Sequence, residues 1–63
     1  MNRLREERKN RGLSQYELGR LVGKYQSRIW QIEKGYLKPG ESEKQTIAEV
    51  LEVDVTMLFP GEP

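Results

Sequence analysis

The chain has 63 residues, enough for one domain and close to the lower size limit for folding without cross-links. It contains no cysteine and no histidine; disulfides, thiolate metal sites and the commonest general base are therefore absent, and no paired carboxylate or lysine constellation replaces them. The net charge of +1 hides a division, since residues 1–38 carry ten Lys/Arg against four Glu and residues 39–63 carry Lys44 against six acids.

Helix signals follow one another along the chain. Met1, Leu4 and Arg8 share helical spacing, Asn2 is placed to cap this first helix, and Gly12 ends it. Ser14 and Glu17 form an S-x-x-E capping box, flanked by Leu13 and Leu18 as a hydrophobic staple. The second helix turns Leu18, Leu21 and Val22 to one face and stops at Gly23. The third lies in GKYQSRIWQIEKG, residues 23–35. There only Ile29 and Ile32 supply an aliphatic stripe; Ser27, Trp30, Gln31 and Lys34 fall on the opposite side, with Gln26 at its margin. Pro39 and Gly40 mark a loop, after which Ser42 and Gln45 spell a second capping box for a helix with Ile47, Ala48 and Leu51 inward. Asp54 is placed to cap a last short helix carrying Val55, Leu58 and Phe59. Val53 and Leu58 would be its staple and Pro60 its stop.

No segment alternates with the two-residue period of a strand. The expected fold is all-α, a compact five-helix bundle over residues 1–59 with a C-terminal tail at 60–63. The apolar runs are far shorter than the roughly 20 residues of a membrane span or the 7–15 of a signal sequence. A cytoplasmic protein with no membrane partner, no cofactor and no enzymatic activity is expected. The basic portion is the footprint either of a polyanion binder or of an ordinary solvated surface.

Gly23, Lys24 and Tyr25 are all that joins the second helix to the third, the short glycine-containing turn of a helix-turn-helix. With LREERKNRGLSQYELGRLVG before it, and QSRIWQIEKG followed by KPG after it, the chain resembles the Cro/Xre-type helix-turn-helix family, to which the lambdoid phage repressors belong. The matching positions are Gln15 opening the second helix, a small residue at Gly19, the turn at Gly23, the aliphatics Ile29 and Ile32, then Glu33 and Gly35. Gly19 has a steric reason, because a side chain there would push two crossing helices apart. Other positions depart from the family. Tyr25 stands where Ser or Thr usually caps the third helix, and Glu41 and Lys44 stand where leucines are common. Glu41 and Glu43 also lie where related proteins bring a helix N-terminus to a phosphate.

The resemblance implies a lambda repressor-like DNA-binding fold whose third helix, about residues 26–34, enters the major groove of double-stranded DNA. Gln26 and Ser27 on its first turn would meet base edges, with Trp30 and Gln31 further along the same face. Gln15 matches a position that touches phosphate and braces the first glutamine of the recognition helix. Arg28, Lys34, Tyr36 and Lys38 would follow the phosphate backbone. Arg8 and Glu33 match positions that carry a structural ion pair, and Glu33 lies only about 40° from Ile29, near the buried edge. The implied function is sequence-specific transcriptional regulation, as a repressor. A homodimer contact through the C-terminal VTMLFP segment would set half-site centres about 34–36 Å apart. The alternative is a protein-interaction module on the same scaffold, antitoxin-like or sporulation-regulator-like.

Several of these residues also have a plainer role open to them. Gln26 and Ser27 could be surface residues standing in for the missing cap. Trp30 could cover Tyr25 or a partner molecule instead of DNA. Arg28 could be merely solvated. Arg3, Arg5, Lys9, Arg11, Arg20 and Lys24 read as a general positive field. Leu37, Met57 and Phe59 read as core, or as a dimer contact if exposed together.

Overall fold

The computed structural model describes residues 2–61. Along them run α1 (Leu4–Asn10), α2 (Gln15–Val22), α3 (Gln26–Glu33), α4 (Glu41–Leu51) and α5 (Val55–Leu58), with no strand among the described residues. The expectations for Met1, and for Glu62 and Pro63 of the tail, lie outside those residues.

Local chemistry sets most boundaries. Ser14 Oγ accepts from the Glu17 N–H at 2.9 Å, and Glu17 Oε1 accepts from the Ser14 N–H at 2.8 Å, which completes the capping box. Those bonds hold the Glu17 carboxyl below the usual carboxylate range. Asp54 caps α5 by accepting from the Thr56 N–H at 2.9 Å and its hydroxyl at 2.6 Å, and its carboxyl is lowered for the same reason. The third helix, α3, is closed by a left-handed glycine, Gly35 at φ 78°. There the Tyr36 N–H reaches the Gln31 carbonyl at 2.9 Å and the Gly35 N–H reaches Ile32 at 3.1 Å, the paired bonds of a Schellman turn. Asn2 acts at the other end of the chain. Its Oδ1 accepts from the Leu4 N–H at 3.0 Å while its Nδ2 donates to the Ile32 carbonyl at 2.8 Å. One side chain thus serves the start of α1 and the end of α3.

Every helix contributes to one core. Leu4, Leu18, Ile29, Ile32, Ile47, Leu51 and Leu58 are fully buried, with Ala48 and Phe59 nearly so. Each large aliphatic removed from water stabilises by about 1.5–3 kcal/mol before the cost of ordering it. Leu13, Val22, Leu37, Val50, Val53 and Val55 pack partly buried around them. Lys44 is also buried. Its stem fills the apolar place while its Nζ lies 5.6 Å from the Phe59 ring centroid and 3.8 Å from the Glu41 carboxylate.

Three expectations give way. Leu21 does not face inward but is 58% exposed. The reason is Gly19: a Cβ there would lie 2.6 Å from the Lys24 carbonyl oxygen, so α2 meets the turn and α3 at this bare position. The buried arc consequently centres on Leu18, Gly19 and Val22, and Leu21 is rotated off it. Ser42 does not cap α4 with Gln45. The helix opens at Glu41 from extended Gly40 (φ −72°, ψ 173°), and Ser42 sits inside its first turn. Met57 is 54% exposed because the single turn of α5 can turn only one side inward, and Leu58 takes it.

Candidate nucleic-acid interface

The third helix is short, eight residues, or about 12 Å at 1.5 Å per residue. An α-helix with its side chains is about 10–12 Å across, which fits the DNA major groove, about 12 Å wide. Only Ile29 and Ile32 are buried along it. Gln26, Ser27, Trp30, Gln31 and Lys34 are exposed. Tyr25 occupies the N-cap with extended backbone and makes no side-chain cap.

A compact polar cluster fixes how this helix sits. Arg8 Nε donates to Glu33 Oε2 at 2.6 Å, its Nη2 to Glu33 Oε1 at 3.3 Å, and its Nη1 to the Leu13 carbonyl at 2.7 Å. Gln15 Nε2 donates to the same Glu33 Oε1 at 3.0 Å. The Arg8 and Glu33 side chains are only 8% and 3% exposed. At such burial a charge pair is tolerated because its donors and acceptors are satisfied, and no buried side-chain nitrogen or oxygen among the described residues lacks a partner. The cluster joins α1, α2 and the end of α3.

Gln15 therefore braces α3 at Glu33 and not at its first glutamine, Gln26. It still lies beside that glutamine, lining one hollow with Gln26, Ser27 and Trp30.

Arg28 departs further from its expected phosphate contact. Its Nε and Nη2 donate to the two carboxylate oxygens of Glu43 at 2.7 and 2.8 Å. The cause is the early start of α4, which places Glu43 in the first turn of that helix facing α3. Glu43 has a side chain 9% exposed, and its carboxyl is held below the usual range, first by the hydrogen bonds from Arg28 and then by the charges of Arg28 and Lys24. Arg28 is raised in turn by the same bonds. Sequence reasoning missed this tether, although an arginine beside the apolar stripe and a glutamate after Pro39-Gly40 were both visible.

Trp30 meets Tyr36 in an edge-to-face pair, centroids 5.5 Å apart with planes at 64°, and does not lie over Tyr25. The left-handed turn at Gly35 brings Tyr36 back along the helix to make this contact. Tyr36, Lys34 and Lys38 are exposed beyond the helix end.

Two helices joined by a tight glycine turn, the second presenting a polar face over a minimal apolar stripe, define a helix-turn-helix domain. A family model described as a helix-turn-helix matches residues 4–58, and the chain belongs to this Cro/C1-type helix-turn-helix family. Membership points to DNA-binding regulation as the class of function. No curated protein matches the chain. None of the described helices is long and apolar enough to cross a membrane.

Proposed function

We propose that the chain is a sequence-specific double-stranded DNA-binding protein of the cytoplasm that represses transcription by occupying its operator. The observation that carries this reading is the division of α3. Its buried side is reduced to Ile29 and Ile32, while Gln26, Ser27 and Gln31 stay exposed on a helix anchored at Glu33. Amides pair bidentately with adenine and a hydroxyl serves several bases, so Gln26 and Ser27 on the first turn read base edges, with Gln31 and Trp30 behind them. Gln15, Lys34, Tyr36 and Lys38 contact the phosphates on either side and set register without reading sequence. Arg28, committed to Glu43, is not assigned a phosphate. Two copies meet through α5, which gives a two-fold operator with half-sites about 34–36 Å apart.

The test is a titration of Gln26→Ala and Lys38→Ala against operator variants selected from random duplexes, at several salt concentrations. Gln26→Ala is expected to cost about 1–3 kcal/mol on the preferred site and to relax preference at one base pair. Lys38→Ala is expected to weaken all sequences alike and to lower the salt slope by about one. If Gln26→Ala weakens every site uniformly while Lys38→Ala changes the preferred base, the docking is wrong. The polar face of α3 would then belong to a protein partner.

A further inference from the structure

Gln26 and Ser27 also line a second hollow, which Gln15 does not border. Its walls are Tyr16 and Arg20 from α2 and Lys24 and Tyr25 from the turn, over a floor that includes Gly19 and Gly23, and it measures about 740 Å³. Tyr16 and Tyr25 are 58% and 85% exposed, so both residues are largely open to solvent. Arg20 and Lys24 are exposed as well, and no acidic residue lines the groove.

Tyr25 is the informative member. Its backbone, at φ −76° and ψ 155°, has the extended geometry in which Ser or Thr would cap α3, yet the side chain makes no cap bond. The position forgoes a stabilising cap and presents an exposed aromatic ring beside two cations. Aromatic faces, cations and the absence of carboxylates together suit a sugar–phosphate strand. The groove is continuous with the reading face, since Gln26 and Ser27 border both hollows.

We infer that this groove takes the strand flanking the bases read by α3. Arg20 and Lys24 lie against its phosphates and the Tyr16 and Tyr25 rings against its sugars, so the bound site is longer on this side than α3 alone would read. The inference rests on the DNA-binding reading and extends it.

The experiment uses wild-type protein, Tyr25→Ser and Arg20→Gln with an operator selected by the wild type and then trimmed base pair by base pair from each end. Tyr25→Ser supplies a capping hydroxyl on a backbone that suits it. It should melt at a higher temperature than the wild type and yet bind the full operator roughly tenfold more weakly, a combination that faulty folding cannot produce. Trimming the flank on the groove side should weaken the wild type more than it weakens Tyr25→Ser, which keeps Tyr16, Arg20 and Lys24 but lacks one of the two rings. Arg20→Gln should lower the salt slope by about one. Equal binding of wild type and Tyr25→Ser, or identical responses to trimming, overturns the groove while the reading of bases by α3 stands. A changed base preference inside the core site also overturns it, because Tyr25 would then be reading bases. If the wild type selects no site at all, the DNA-binding reading fails and the groove falls with it.

Discussion

The Arg8 guanidinium donates three hydrogen bonds, two to Glu33 and one to the Leu13 carbonyl. Removing it strands a carboxylate whose side chain is 3% exposed, with Gln15 as its remaining side-chain donor. Breaking a buried pair from one side costs about 3–5 kcal/mol, whereas replacing both partners with apolar groups is often nearly neutral. Arg8→Met should therefore lose about 3 kcal/mol in urea melts, and Arg8→Met combined with Glu33→Leu should lose less than the single change. Additive losses would show that the two residues are not coupled. The pair itself was legible in the sequence, because Glu33 falls beside Ile29 on the helical wheel and both residues match family positions. The Leu13 carbonyl and the Gln15 amide were not. Such partners depend on how α1, α2 and α3 meet, which no local spacing encodes.

Between elements, the Arg28–Glu43 tether fastens α3 to α4. The Glu43 carboxyl is held low, chiefly by hydrogen bonds from Arg28 and against the opposing effect of burial. A group with a depressed folded-state pKa adds stability above its unfolded value, about 4.3 for glutamate, and loses it as pH falls through the lower folded value. Arg28 stays charged throughout that range. Melting temperatures taken from about pH 6 down to pH 3 should consequently fall more steeply for the wild type than for Glu43→Gln. Glu17 and Asp54 are depressed too, but both proteins retain them, so the difference isolates Glu43. Parallel curves would mean that the tether contributes nothing to folding. The existence and order of the helices could be read from capping boxes and glycines, as Ser14, Gly23 and Gly35 illustrate. Their faces were less legible. Leu21 was displaced by the close approach at Gly19, and the start of α4 moved ahead of Ser42 because extended Gly40 already opens the helix.

For the whole molecule, the division of charge in the sequence is partly closed by the fold. Arg11 pairs with Glu52 at 3.0 Å and Arg28 with Glu43 at 2.7 Å, each joining the basic portion to the acidic one. Glu49 and Asp54 nevertheless remain exposed on and beside α4 and α5, together with Met57. A two-fold contact through α5 would bring these like charges together. Salt should then act in opposite directions on the two associations, screening repulsion between protomers while weakening attachment to DNA. Sedimentation equilibrium of the free protein should give more dimer at about 300 mM salt than at about 50 mM, while operator affinity falls over the same range. A free protein that is monomeric at both, or that dissociates as salt rises, would rule out the α5 contact. The overall architecture was legible because each helix carries its own stop or start. The Tyr16–Tyr25 groove was not, since its walls come from different elements and meet only across the turn.

The Arg3 N–H donates to the Leu58 carbonyl at 2.9 Å, so the two ends of the folded unit are held together by a backbone bond. Asn2, beside that bond, holds the last turn of α3. The order in which the chain visits its helices is thus separable from the surface they build. A circular permutant, with residue 2 joined to residue 61 through a short linker and new ends opened between α3 and α4, would run α4, α5, α1, α2, α3. It would still present Gln26 and Ser27 on the same support. Its new C-terminus would emerge just beyond α3, which makes that loop a natural place to attach a second domain beside the polar face of that helix.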